Sequence, residues 1–126
     1  MLGLALTLRN NRLDEVTARA GNTALLRVYT APRPATGGAA TTLLAEWTLG
    51  TPFAAAAAAA TLSPTLPADT TGVTNGTASW WRIVQSDGST HVMDGDVGVE
   101  MTMNTTSVAS GAACKVLSFS ITEGNP

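Results

Sequence analysis

Cysteine, histidine and charge are all scarce in this chain. Its 126 residues include one cysteine, Cys114, and one histidine, His91, and 13% are charged, against about 25% in an average globular domain. A single cysteine excludes a disulfide within the chain, and we expect Cys114 to be a small buried apolar residue. A single histidine without a Gly-x-Ser-x-Gly motif gives little support to a hydrolytic triad. We therefore expect no enzymatic activity, and we expect His91 to be a surface residue of a strand.

Long apolar runs and metal-binding patterns are also missing. No stretch approaches the ~20 apolar residues of a membrane helix, and residues 1–8 lack the basic segment that opens a secretory signal. Together with the lone cysteine, this predicts synthesis in a reducing cytoplasm and no membrane partner. Several acidic residues cluster in sequence but lack the alternation of a calcium loop, so we expect no metal and no cofactor. They are Asp87, Asp94, Asp96 and Glu100.

The charges that are present divide unevenly along the chain. Residues 1–40 carry five arginines and two acidic residues, a net charge of +3, whereas residues 41–126 carry two basic and seven acidic residues, a net charge of −5. This polarity favours docking between copies or an N-terminal segment that contacts an acidic neighbour. Because acidic residues lie among the arginines, the chain offers a weak track for phosphates, and we expect no nucleic-acid partner.

Apolar residues recur at helical spacing near the N-terminus. The pattern predicts a helix over residues 4–20 that ends at Gly21-Asn22, with Arg12 and Arg19 beside the apolar stripe. We divide the single domain into a helix or arm over residues 1–22 and a β-domain over residues 23–126. The helix either lies across the body or extends from it as an arm. The apolar stripe consists of Leu6, Leu13, Val16 and Ala20.

From residue 25 onward the apolar pattern alternates with a period of two. Seven or eight short segments of this kind, separated by turn signals such as Asp87-Gly88, predict a single-domain antiparallel β-sandwich of jelly-roll type. Two later segments continue this alternation. In the first, Val97, Val99, Met101 and Met103 alternate with Gly98, Glu100, Thr102 and Asn104; in the second, Leu117, Phe119 and Ile121 are predicted to face inward.

Residues 54–60 form an unbroken run of alanines. Alanine favours helix, but seven residues are too few for a stable helix without packing. Prolines flank the run at Pro52 and Pro64, as in a short extended connection. We predict a close-packed irregular or strand segment.

The most informative motif is Trp80-Trp81-Arg82. Successive side chains of a strand point to opposite faces, so both indoles cannot enter one core. We place Trp81 on the inner face with Ile83, and Trp80 on the other face with Arg82. An exposed indole next to an arginine is typical of a protein interface, so Trp80 and Arg82 are predicted contact residues. The alternative is an isolated surface aromatic without a partner.

The order of several short phrases resembles that of a family of small structural proteins encoded by tailed bacteriophages. The phrases span nearly the whole chain, and each is of low specificity alone. They include Leu8-Arg9-Asn10-Asn11-Arg12-Leu13-Asp14, Leu26-Arg27-Val28-Tyr29, Arg33-Pro34-Ala35-Thr36-Gly37-Gly38, Gly76-Thr77-Ala78-Ser79-Trp80-Trp81-Arg82-Ile83-Val84, Asp94-Gly95-Asp96-Val97-Gly98 and Ser118-Phe119-Ser120-Ile121-Thr122.

The resemblance implies a virion protein, most similar to a capsid decoration or cement protein of jelly-roll type. Such a protein would lie on the outer capsid surface and bind the major capsid protein and further copies of itself, as a dimer or trimer. The alternative is a tail-associated or fibre-head module in which Trp80 stacks on a host glycan and Asp94 or Asp96 binds its hydroxyls. The predicted contact residues for the decoration role are Arg9, Arg12, Arg19, Trp80 and Arg82.

Overall fold

The computed structural model describes residues 3–122, which form one helix followed by twelve short strands. The predicted fold class, a mainly β, antiparallel sandwich-like domain with an N-terminal helix, is confirmed. Residues 1–2 and 123–126, at the ends of the two predicted regions, lie outside the described residues. The elements are α1 (Leu6–Ala20), β1 (Leu25–Tyr29), β2 (Leu43–Thr48), β3 (Thr61–Leu62), β4 (Thr70–Thr71), β5 (Gly76–Thr77), β6 (Trp80–Val84), β7 (His91–Asp96), β8 (Met101–Met103), β9 (Ser107–Val108), β10 (Ala113–Cys114), β11 (Val116–Phe119) and β12 (Ile121–Thr122).

A four-stranded antiparallel sheet in the order β2-β1-β6-β7 forms the centre of the molecule. The predicted turn at Asp87-Gly88 joins β6 to β7. Gly88 adopts a positive φ of 77°, which suits glycine because it has no Cβ. The Asp87 carboxylate accepts hydrogen bonds from the backbone N–H groups of Ser89 and Thr90, both at 2.9 Å.

The inner face of this sheet packs against the remaining strands, which pair two by two. These pairs are β3 with β12, β4 with β10, β5 with β9, and β8 with β11. Their buried side chains join those of the central sheet in one apolar core. Trp81 meets Phe119 edge to face with 4.9 Å between ring centroids, and Trp47 Nε1 donates a hydrogen bond to the Cys114 carbonyl at 3.2 Å. Cys114 is buried, as predicted.

The position of the Trp81 ring also explains why residue 95, directly opposite Trp81 on β7, is a glycine. A Cβ at position 95 would collide with the Trp81 ring and with the Glu100 carboxylate. The indole therefore occupies the space that a side chain on β7 would need.

Helix α1 lies on the body, which decides between the two predicted placements. Leu13 and Ala20 are buried in the same core as the strands, and the Gln85 side-chain amide donates to the Arg19 carbonyl at 2.7 Å. The prediction that Leu6 belongs to the buried stripe is wrong, because this side chain is 51% exposed. Among the described residues, burial in the helix begins only at Leu13. The helix is neither long nor apolar enough to cross a membrane.

The alanine run is irregular, as predicted, but it is not close-packed, because Ala55, Ala56, Ala58 and Ala59 are exposed. Ala54 forms a β-bridge with Pro64, and Ala58 forms one with Thr61. Two side chains of α1 hold the run against the helix. Asp14 Oδ1 accepts a hydrogen bond from the Ala57 N–H at 2.7 Å, and Asn10 Oδ1 accepts one from the Ala60 N–H at 2.9 Å.

One predicted inward position, Leu117, and one predicted strand position, Val99, are wrong. Leu117 is 51% exposed, because the register of β11 against β8 shifts between Val116 and Ser118 and reverses the alternation. Val99 is 73% exposed, since it lies in the turn between β7 and β8, where Gly98 N–H donates to the Met101 carbonyl at 2.7 Å.

Candidate functional site

The connection between β1 and β2, residues 30–42, folds back over the outer face of the central sheet. We call this segment the strap. It crosses β6 and β7, where the Gly37 N–H donates to Asp94 Oδ2 at 3.0 Å and the Gly38 carbonyl accepts from Arg82 Nη2 at 2.8 Å. All of the strap lies within the described residues, and none of its side chains is buried. The strap therefore covers the sheet mainly with backbone and small side chains.

Trp80 lies beneath the strap and is completely buried. Its ring stacks on Tyr29 with 4.5 Å between centroids and 18° between planes. The indole N–H donates to the Thr30 carbonyl at 2.9 Å and to Thr41 Oγ1 at 3.1 Å. The indole thus bridges the two ends of the strap.

This burial corrects the expectation that one indole of the pair is exposed. The assignment of faces is right, because Trp81 and Ile83 belong to the inner core and Trp80 does not. The exposure predicted for Trp80 is wrong, because the strap covers the face that a bare sheet would leave open. Arg82 is buried on the same face and is 9% exposed. Neither residue is a surface contact while the strap is closed.

Arg82 forms an ion pair with Asp94 on the outer face. Its Nε and Nη2 donate to the two carboxylate oxygens of Asp94 at 2.7 and 3.1 Å, a bidentate geometry that suits guanidinium. Its Cζ lies 5.0 Å from the centroid of the Trp80 ring, within the range of a cation–π contact. The hydrogen bond to Asp94 raises the pKa of Arg82, although burial acts in the opposite direction.

Asp94 is the centre of this cluster. Its side chain is fully buried, and it accepts hydrogen bonds from Arg82, from the Gly37 N–H and, at 3.0 Å, from His91 Nε2. Burial acts to raise the pKa of Asp94, but these hydrogen bonds outweigh it and lower the pKa to about 2. One carboxylate therefore holds β6, β7 and the strap together.

Arg33 adds a second ionic contact between the strap and β7. Its Nη1 lies 3.2 Å from Asp96 Oδ2. The candidate glycan site is consequently not formed in this structure, because Trp80 and Asp94 are buried and Asp96 is paired with Arg33. Sequence reasoning found Arg82 but missed Asp94 as its partner. It also missed the two strap glycines, Gly37 and Gly38.

His91 lies on β7, as predicted, with its side chain 29% exposed. A histidine oriented by a carboxylate is one half of the arrangement that activates a nucleophile. Among the described residues, no hydroxyl or thiol is found hydrogen-bonded to His91. In the same part of the chain, no three histidine, cysteine or acidic side chains are grouped to bind a metal ion. The contact between His91 and Asp94 is a positioning contact for the strap.

The three arginines of α1 that were predicted as contact residues differ in exposure. Arg12 and Arg19 are exposed, and Arg9 is half-buried. Arg19 Nη2 donates to the His91 carbonyl at 3.2 Å, so its head group lies at the free edge of β7. Two half-exposed leucines precede Arg9 and Arg12 in the first turns of α1. We call this set the helix surface; it comprises Leu6, Leu8, Arg9 and Arg12.

The uneven charge along the sequence is partly neutralised inside the molecule. Arg27 Nε lies 2.5 Å from Glu46 Oε2, and Arg33 pairs with Asp96. Both pairs join an arginine from the first 40 residues to an acidic residue from the rest of the chain. Arg27 and Arg33 therefore take part in ion pairs within the fold.

Comparisons with protein-family models, with curated proteins and with solved structures found no match. The resemblance to phage structural proteins is thus carried by the order of the quoted phrases alone.

Proposed function

We propose that this chain is a non-enzymatic structural protein of a tailed-bacteriophage particle that binds and stabilises the outer face of the capsid. Two features support the proposal. The ordered phrases resemble those of phage decoration proteins, and the fold is the β-sandwich type that this resemblance implies. The observation that carries the proposal is the helix surface, where Leu6 is 51% and Leu8 is 47% exposed on a helix whose later turns are fixed to the body.

The composition of the helix surface suits a contact with an acidic protein surface. Leu8 and Arg12, four residues apart, lie on one side of the helix, and Leu6 and Arg9, three residues apart, lie on another side. The proposed contact therefore surrounds the first turns of α1. Complete burial of a leucine contributes about 1.5–3 kcal/mol. The arginines direct the encounter with an acidic partner more than they add affinity.

A weak contact is sufficient for this role because a shell offers many equivalent sites. Only the assembled lattice presents the complete site, so binding stabilises the shell by mass action. A dimer or trimer of the chain would bridge neighbouring capsid subunits and gain avidity without new contacts. The proposed partners are the major capsid protein and further copies of this chain.

The direct test is a binding assay on empty shells assembled without this chain. We expect the double variant L6Q/L8Q to occupy shells at least about tenfold less than the unchanged chain, because two leucines lose their burial at the contact. The matched control is L117Q, which removes a leucine of the same 51% exposure on β11. Thermal unfolding of each variant should stay within a few degrees of the parent.

Three results would contradict the proposal. Equal occupancy by L6Q/L8Q and the parent would remove the helix surface from the contact. A loss of occupancy in L117Q as large as in L6Q/L8Q would show that the effect is not specific to the helix. Failure of the unchanged chain to bind shells, or its recovery with tails, would reject the capsid role and favour the tail-associated alternative.

A further inference from the structure

We propose that the strap opens as a unit while the sandwich stays folded. The chain would then have a closed state and an open state that differ in the exposure of Tyr29, Trp80 and Arg82. This inference concerns the molecule itself and does not depend on the capsid role. The juxtaposition that carries it is a large aromatic pair, outside the main core, covered by a loop that is held by polar contacts.

The strap is attached to the outer face of the sheet by polar groups. Its polar contacts with the outer face are hydrogen bonds and ion pairs: Gly37 to Asp94, Gly38 to Arg82, and Arg33 to Asp96. At its two ends, Thr30 and Thr41 also accept the indole hydrogen bond of Trp80. Within the described residues, the strap places no buried side chain on the sheet. Water can replace polar contacts of this kind at small net cost, whereas an interlocked apolar contact has no such substitute.

Opening of the strap would leave the inner core of the sandwich intact. Trp80 and Tyr29 do not belong to the core cluster that contains Trp47, Trp81 and Phe119. Opening the strap would wet the outer face without breaking the inner core. Segments with few apolar contacts open at a lower free energy than the whole domain. The strap is the part of this chain that meets that description.

The charge of Asp94 favours the closed strap. Asp94 lies at the centre of these contacts. The charged and titratable groups around it are Arg82 on β6, His91 on β7, Arg33 in the strap, and Asp96, two residues further along β7. Arg33 Nη2 also reaches the Asp94 carbonyl, at 3.5 Å. Loss of the Asp94 charge therefore weakens the bond from Gly37 directly and the bond to Gly38 through Arg82, and it favours the open state.

Indole hydrogen exchange in the full chain tests the proposal, because two tryptophans report on the two sides of the sheet. The Trp80 N–H is bonded within the strap, and the Trp47 N–H is bonded to Cys114 in the core. By NMR in deuterated water, we expect the Trp80 indole proton to exchange at least about tenfold faster than that of Trp47. Trp→Phe variants at each position assign the two signals.

Two variants and one control sharpen the test. D94N should speed Trp80 exchange a further ten- to hundredfold, on the order expected for lost charged hydrogen bonds. R33A removes a more exposed pair and should speed it about two- to fivefold. The control D87N removes a carboxylate from the turn between β6 and β7, where its hydrogen bonds come from Ser89 and Thr90. It should change the Trp80 and Trp47 rates by the same factor.

Equal exchange rates for Trp80 and Trp47 in the parent would overturn the proposal, because the indole would then be released only by global unfolding. The same conclusion would follow if D94N and R33A speed both protons equally. Should D94N unfold, R33A alone decides between local and global opening. None of these exchange measurements depends on shell binding, so the strap proposal can be wrong while the proposed function is right, and the reverse.

Discussion

The two faces of the central sheet bury adjacent tryptophans by different means. On the inner face, Trp81 is packed among strands of the opposite layer and fills the space above Gly95. On the outer face, Trp80 is covered by a loop whose own side chains stay outside the core. Full burial of a side chain therefore does not report how firmly it is held. The contrast predicts different responses to substitution and to pH.

The largest effect should come from the inner face. We expect Trp81→Ala to lower the free energy of unfolding by about 3–5 kcal/mol, because it leaves a cavity in a rigid core. Chemical denaturation followed by far-UV circular dichroism measures the change. A loss below about 1 kcal/mol would mean that the inner core collapses around the gap, and that the two faces do not differ in rigidity.

Trp80→Ala should have a smaller effect, about 2–3 kcal/mol, because the strap can settle into the vacated space. The same denaturation experiment compares it with Trp81→Ala. Fluorescence provides a second readout, since the remaining indoles at Trp47 and Trp81 should keep their buried emission. A loss equal to that of Trp81→Ala would show that the outer face is part of the rigid core.

Acid should weaken the outer face through Asp94. Its pKa is about 2 in the folded chain and about 3.9 when unfolded. Because the folded value is the lower one, Asp94 contributes stability above pH ~4 that is lost as the pH falls from about 4 to about 2, on the order of 2 kcal/mol. Denaturation midpoints measured between pH 6 and pH 2 follow this loss.

The D94N variant is the control for the acid effect. It should be less stable than the parent at pH 6 and should lose less on acidification. Some loss will remain, because a hydrogen bond from the Thr90 hydroxyl, with further bonds from the Thr90 and Ser89 backbone, also lowers the pKa of Asp87 to about 2. Identical pH profiles for D94N and the parent would contradict the role given to Asp94.

Sequence periodicity was sufficient for α1, for the hairpin of β6 and β7, and for the two faces of β6. Alternation placed Trp81 and Ile83 inward, helical spacing located α1, and Asp87-Gly88 located the hairpin of β6 and β7. These features are local: each depends on residues that are neighbours in the chain. The same reasoning could not detect where a ladder slips.

A slip of one residue decides the candidate site. Val84 pairs with His91, but Ile83 pairs with Met93, so Val92 is skipped. Regular pairing from the turn would have placed Met93 opposite Arg82. The bulge instead places Asp94 there, and the pair that holds the strap results. A bulge of this kind depends on packing across the sheet, and no period in the sequence signals it.

The direction of a long loop is equally hard to predict. The strap reads as a run of small residues and prolines, which indicates a loop but not its path. Its course over Trp80 depends on Gly37 and Gly38, whose backbone groups meet Asp94 and Arg82 from distant strands. For that reason the exposure expected for Trp80 was wrong, although its face was right.

Imaging of intact particles of the tailed phage that we propose as the source of this chain is the direct test of the capsid proposal. The account predicts density for the sandwich at many equivalent positions on the outer head surface, with the first turns of α1 at the contact with the shell. Density for this chain on the tail, or its absence from purified particles, would contradict the account.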